Sequence, residues 1–306
     1  MGKEMILIVL LYAVLAATFV FAKYAVAYAA PTFLIGFRMI VAGIALLCFC
    51  LLKNQGRLGV AKNDWWLFLK TALFHIYLAF TLEFWALQYV GALKTTLIFS
   101  ATPFIAALLS YFLYNERLNG AKKLGIFVGT VGLFPVLLYA GQGAGAVSSF
   151  ISVGLPDLAL MIAASSAAYA WFLVKELMHR GYSFVLINGL AMLLGGILSL
   201  ITSLFIDGFT LPISDWGAFL WWVGLLVLSA NVIVYNLYGW LLKRYSLTFL
   251  SFAGFLCPSF GALYEWGITG QPVSWHYLVS LFFVMLGLYI FYRQELVILN
   301  QTQRNS

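Results

Sequence analysis

Apolar residues run along this chain in long, nearly unbroken blocks, without the polar face of a soluble helix or the alternation of a half-buried strand. Blocks of spanning length fall at about 5–26, 32–52, 65–88, 93–114, 121–141, 155–177, 183–206, 216–241, 247–268 and 274–293. Each is close to the roughly 20 residues that a helix needs to cross the hydrocarbon core of a bilayer. The pattern predicts an all-α integral membrane protein of about ten transmembrane helices. Two of the blocks carry a proline near the middle among small residues, Pro103 and Pro258. A proline there removes a backbone donor and bends the helix, so both are read as helix-kink positions.

The halves of the chain fall into register. Pro103 and Pro258 lie 155 positions apart, as do Gly132 and Gly287, Glu116 and Gln271, and Trp85 and Trp240. Five spans per half is an odd number, so the second half enters the bilayer upside down. The sequence therefore predicts two inverted five-helix repeats, a common plan for secondary transporters. Residues 1–141 form the first repeat and 155–295 the second; 142–154, rich in Gly and Ser, is an extracytoplasmic linker, and 296–306 a cytoplasmic tail. Gly125, Gly129 and Gly132 are expected to let a neighbouring helix of the bundle approach closely.

Composition agrees: 64% of the 306 residues are hydrophobic and 9% charged, against about 25% charged in an ordinary soluble domain. The net charge of +7 does not point to nucleic acid, because the cations sit in short loops. Lys3, Lys53, Arg57, Lys62, Arg117, Lys122, Lys123, Lys175, Arg180, Lys243, Arg244, Arg293 and Arg304 fall on one side of the predicted topology. Asp157, Asp207 and Asp215 fall on the other. The excess of cations marks the cytoplasmic side, so both termini are expected there. The apolar run after Glu4 resembles a signal peptide but is read as the first span, since many follow. Cys48, Cys50 and Cys257 have no metal-ligand spacing and are read as buried, inert thiols. Trp65, Trp66, Trp216, Trp221, Trp222 and Trp275 near the span ends read as an interfacial belt.

Polar groups inside spans are costly and therefore candidates for function. Lys23, Arg38, Glu83 and Lys94 cluster in the outer half of the first repeat. Arg38 is suited to a substrate carboxylate or phosphate through its planar fork. Glu83 is suited to a substrate amine or to proton coupling. The competing reading is a structural Arg38–Glu83 pair, with both lysines snorkelling to the headgroups. Asn231, Tyr235 and Tyr238 share one face of the eighth span; under the 155-residue shift they match Ile76, Phe80 and Glu83. The two faces are expected to line one cavity, against the alternative of plain interhelical hydrogen bonding. Phe19, Tyr77, Tyr169 and Tyr235 are candidates to stack on a flat substrate, against ordinary helix packing. His75 reads as a satisfied buried histidine before it reads as a proton carrier.

The segments Phe19-Val20-Phe21-Ala22-Lys23, Pro31, Phe37-Arg38, Pro103-Phe104-Ile105-Ala106-Ala107-Leu108-Leu109, Asn115-Glu116-Arg117-Leu118 and the Gly125-to-Gly132 helix carry a family resemblance. In order and spacing the chain resembles the ten-helix drug/metabolite transporter superfamily, EamA branch, over nearly its whole length. The resemblance implies ten helices, cytoplasmic termini, a central cavity and transport of small organic solutes. The chain departs from the pattern at Gln271, where a glutamate is usual, and at Ala191, near the position matching Arg38.

Together these features predict a secondary active transporter, an exporter or exchanger, working by alternating access on an amino acid or nucleoside-like solute. The alternative is a proton-coupled multidrug efflux protein with Glu83 as the carrier. An intramembrane enzyme is disfavoured: HExxH, GxSxG and paired intramembrane aspartates are absent from the sequence. So is a receptor or channel, for want of a signalling domain or charged ring. The expected partners are a small-molecule substrate and the lipid bilayer, with no cofactor, metal or nucleic acid. The expected state is a monomer or homodimer in a bacterial inner (plasma) membrane. Alkaline phosphatase fused after Ser306 should be inactive in cells while green fluorescent protein at the same point fluoresces; an active phosphatase fusion would invert the topology.

Overall fold

The computed structural model describes residues 2–53, 59–87, 89–90, 95, 98–115, 118–140, 154–206, 213–270 and 274–304. Lys94, Glu116, Asp207, Gln271 and nearly all of the 142–154 linker lie outside them. The described residues are helical, with no strand. Helix α1 is Gly2–Ala25, α2 Pro31–Leu52, α4 Thr102–Tyr114, α5 Gly120–Ala140, α6 Leu155–His179, α7 Phe184–Ile206 and α10 Trp275–Arg304. Three further helices are composite. In α3, a π-helical segment Ala72–Leu78 separates Trp65–Thr71 from Ala79–Leu87. In α8, a π-helical segment Val227–Val234 separates Trp216–Leu226 from Tyr235–Leu242. In α9, a 3₁₀ turn Gly254–Leu256 separates Leu247–Ala253 from Cys257–Thr269. Among the described residues, eight helices are long and apolar enough to cross a membrane, and Thr102–Tyr114 is a shorter apolar helix. The protein is an all-α integral membrane protein.

Both expected kink prolines occupy the first turn of a new segment, Pro103 in α4 and Pro258 in the second part of α9. A proline costs little there, because that N–H has no intrahelical acceptor. The bends are thus breaks between segments, with the proline starting the next one. The proline inside a regular helix is Pro135 of α5. The C-terminal residues also depart from expectation: α10 continues through the predicted tail to Arg304, since no Gly or Pro between Gln294 and Arg304 ends it.

Two antiparallel helix pairs form the frame. A Cβ placed on Gly43 of α2 would lie 2.7 Å from the Leu193 nitrogen and 2.9 Å from the Gly189 carbonyl of α7. One on Gly196 of α7 would lie 3.0 Å from the Gly36 carbonyl of α2. The second pair repeats this: Gly125 and Gly129 of α5 face Gly287 of α10, where an added Cβ would lie 2.5 Å from the Gly125 carbonyl and 2.8 Å from the Gly129 nitrogen. Backbone meets backbone at both crossings, so the glycine run of α5 packs within the bundle as expected. Close approach of this kind holds helices together where lipid offers no hydrophobic gradient.

One end of the bundle is tied by polar contacts. Arg180 pairs with Asp64 at 2.5 Å and Glu176 at 3.0 Å, and the Tyr182 hydroxyl donates to Asp64 at 2.7 Å. Glu4 pairs with Arg244 and accepts from the Tyr245 hydroxyl at 2.5 Å. Lys243 lies 4.8 Å over the ring of Phe184 and links the two groups. Hydrogen bonding to Asp64 holds the Arg180 guanidinium and the Tyr182 hydroxyl above their ordinary pKa values. Burial, then the bond to Glu4, does the same for Tyr245. All three therefore remain donors at neutral pH. At the opposite end Ser214 donates its N–H to the Tyr28 carbonyl and Tyr24 stacks on Trp222 at 4.7 Å.

The expected belt tryptophans Trp65, Trp66, Trp216, Trp221 and Trp275 are exposed at helix ends. Cys50 is buried and Cys257 partly so, but Cys48 is exposed on α2, which corrects the reading of all three thiols as buried. The Gly287→Leu variant should lower the melting temperature of the detergent-solubilised protein markedly, since overpacking against two backbones costs about 1–3 kcal/mol. Gly224→Ala, at a position with nothing within 4 Å of an added Cβ, should melt at or slightly above the wild-type temperature; thermal unfolding followed by size-exclusion fluorescence reads both.

Candidate functional site

Between the two framing pairs, α1, α2, α3, α6 and α8 bring together buried polar groups and aromatic rings. Arg38 enters from α2, two turns past Pro31, and is only 4% exposed. Its guanidinium lies 4.9 Å from the Phe80 ring centre and 6.0 Å from that of Phe84, both on α3. Phe80 and Phe84 are one turn apart on α3 and so present both faces to the same cation. Glu83 is near enough that its charge and that of Arg38 interact, and Tyr235 of α8 lies within reach of both. Among the described residues no ion pair within 4.0 Å joins Arg38 to Glu83, and the Arg38 Nε has no hydrogen-bond partner. A tight structural pair is therefore not what the two residues form in this conformation.

From Tyr235 the cluster continues inward. His75, 3% exposed on α3, stands edge-on to Tyr235 at 5.0 Å and to Trp171 of α6 at 4.6 Å. Trp171 stacks on Tyr238 at 4.1 Å, and the Tyr238 hydroxyl lies near Ser251 and Tyr12. Tyr12 in turn donates to the Leu250 carbonyl. The floor is Asn231, fully buried, whose amide donates weakly to the sulfur of Met39 at 3.0 Å and of Met192 at 3.7 Å. Its Oδ1 and the His75 Nε2 have no partner. The two π-helical segments set this geometry: each widens the turn that aims these side chains inward, and π-segments concentrate at functional sites.

Three of the orphaned buried polar atoms belong to this region, on three helices: Arg38 Nε, His75 Nε2 and Asn231 Oδ1. Each leaves roughly 1–3 kcal/mol of desolvation uncompensated. Native proteins retain such groups where a ligand, ion or water completes them. The arrangement offers a cation for a carboxylate, an acid for a cationic group, and aromatic faces for a flat ring. It has none of the nucleophile–base geometry that bond cleavage requires, and among the described residues no cluster of three metal-ligating side chains occurs.

Five of the residues expected from sequence are gathered in this cluster: Arg38, Glu83, Asn231, Tyr235 and Tyr238. Three stand apart. Phe19 is 57% exposed on the outward face of α1. Tyr77 bonds Thr202 of α7 at 2.7 Å, and Tyr169 packs edge-on against Phe74 at 5.1 Å; both serve helix contacts. Lys23 is exposed, as a snorkelling side chain would be. His75, read as satisfied, has an unpartnered ring nitrogen. Trp171 was not expected at all; its mid-span position, away from the belt, is the signal that marks it. A groove of about 740 Å³ between α4 and α5, lined by Phe104, Leu108, Phe127 and Lys123, lies outside this cluster.

Comparison with known proteins bears on the family. The EamA-like transporter family matches residues 2–138 and 154–293. The chain is 32% identical over 281 residues to an S-adenosylmethionine/S-adenosylhomocysteine transporter of Chlamydia muridarum, covering 91% of this chain and 88% of the relative. The same identity relates it to an S-adenosylmethionine/S-adenosylhomocysteine transporter of Chlamydia trachomatis serovar L2, with 91% and 85% covered. A solved crystal structure, 18% identical, superimposes with a TM-score of 0.71 over 93% of each chain and has the same fold. With this architecture and these matches, the chain belongs to the EamA-like transporter family and is an integral membrane transporter of a small solute, not an enzyme.

Proposed function

We propose that the protein is a secondary transporter of S-adenosylmethionine and S-adenosylhomocysteine, exchanging one for the other by alternating access around the Arg38–Glu83–Tyr235 cluster. The observation that carries the substrate is the 32% identity to chlamydial transporters of these compounds over 91% of the chain. The cluster suits them chemically. Both solutes join a purine nucleoside through sulfur to an amino acid. Arg38 would hold the α-carboxylate through its fork. Glu83 would face the ammonium group and, in S-adenosylmethionine, the sulfonium.

The mechanism extends the same reading. Ten spans in two inverted five-helix repeats, 1–141 and 155–295 about the linker 142–154, would rock against each other, with the 296–306 tail and the N-terminus in the bacterial cytoplasm. Three observations support it: the two stretches matched by the family, π-helical segments that begin 155 positions apart at Ala72 and Val227, and the antiparallel glycine crossings. The end tied by Asp64–Arg180 and Glu4–Arg244 is closed in this conformation, and opening that end would break both. Ion pairs at the surface contribute little to stability and are weak enough for repeated opening.

Proteoliposomes preloaded with S-adenosylhomocysteine should take up labelled S-adenosylmethionine saturably, and faster than empty ones. Arg38→Gln should cut that uptake about tenfold or more, because a hydrogen bond to a charged group is worth about 1.5–3 kcal/mol. Wild-type protein that catalyses no flux of either compound would overturn the reading. If Glu83 also carries a proton, Glu83→Gln should flatten the pH dependence of uptake; an unchanged pH profile would remove it from that role.

A further inference from the structure

Three rings pack together at the centre of the cluster. Trp171 and Tyr238 stack with centroids 4.1 Å apart and planes at 26°. Tyr235 is tilted against Trp171, with centroids 5.8 Å apart and planes at 35°. Only the first pair is at stacking distance. Across the Trp171–Tyr235 gap stands His75, at 82° to the indole and 70° to the phenol. Its Nε2 is buried and has no partner.

We propose that the gap between Trp171 and Tyr235 is the slot for the flat heteroaromatic end of the substrate, with His75 reading the edge of that ring. A ring held between two others needs about 7 Å between their planes, twice the contact distance of about 3.5 Å, so Trp171 and Tyr235 must part and turn towards parallel on binding. The three rings come from α6 and α8, and His75 from α3, whose π-helical segment contains it. Arg38 and Glu83 both lie within reach of Tyr235. The slot therefore places the base at one end of the cluster and the amino-acid end of the substrate at the other. A neutral imidazole nitrogen matches the donor and acceptor atoms on a purine edge. Trp171–Tyr238 stacking holds one wall of the slot.

This inference rests on the S-adenosylmethionine/S-adenosylhomocysteine reading for the identity of the base, and the experiment separates the two. Labelled S-adenosylhomocysteine is bound to the purified full-length protein in detergent and competed with adenosine, for the nucleoside end, or with methionine, for the amino-acid end. Trp171→Ala and His75→Gln should weaken competition by adenosine about tenfold or more, as loss of a stacking face does for bound bases, and leave competition by methionine unchanged. Arg38→Gln should do the reverse. Trp171→Phe keeps a ring and should retain most of the adenosine competition, which separates loss of the slot from loss of the fold. Unaltered adenosine competition in monodisperse Trp171→Ala and His75→Gln protein overturns the slot. If wild-type protein does not bind labelled S-adenosylhomocysteine, the substrate reading fails. The slot is then read by the thermal shift that adenosine induces: a shift lost in His75→Gln supports it, and no shift in the wild type overturns it.

Discussion

Backbone contact at glycine crossings is the constraint on which the rest of this structure depends. In a bilayer, apolar side chains gain little by leaving lipid for protein, so helices adhere by close approach and complementary shape. Gly36, Gly43, Gly189 and Gly196 bring α2 and α7 together, and Gly125, Gly129 and Gly287 do the same for α5 and α10. Nothing larger fits at Gly43 or Gly287, because the atoms that would be struck are main-chain atoms with no freedom to withdraw. With these two pairs fixed, α3 and α8 are held facing each other between them, and the polar cluster forms on their inner faces.

The two inner faces are matched in position and unlike in chemistry. Each carries a π-helical segment, and each sends three residues inward at corresponding positions. On α3 these are Ile76, Phe80 and Glu83; on α8 they are Asn231, Tyr235 and Tyr238. The first half contributes charge, from Glu83 and the neighbouring Arg38. The second half contributes an amide and two phenols. Matched positions thus carry unlike chemistry, which would suit the proposed solute, with one charged end and one flat, uncharged end.

Much of this was legible in the sequence. Span positions follow from apolar block length, and the intramembrane residues Arg38, Glu83 and Asn231 stand out because each is expensive to insert. The rest was hidden for identifiable reasons. Helices that are apolar on every side give no phase, so Phe19 on the outward face of α1 reads like an inward residue. A π-helical segment has no Gly or Pro signature in Ala72–Leu78 or Val227–Val234, yet it resets which residues point inward downstream. Trp171 lies mid-span in an apolar stretch, where nothing in the sequence tells a ring facing the cluster from one packed in the helix bundle. That His75 lacks a partner is a property of its neighbours, Trp171 and Tyr235, and no local pattern records it.

The central claim is that this closed cluster is a solute site that opens to water. It is tested most directly by the accessibility of a thiol placed in it. In protein with Cys48, Cys50 and Cys257 replaced, Phe80→Cys puts a thiol beside Arg38. A membrane-impermeant maleimide should label it in oriented vesicles, and S-adenosylhomocysteine should slow the labelling. A thiol that stays unlabelled from both sides, in protein that still catalyses flux, would contradict the account.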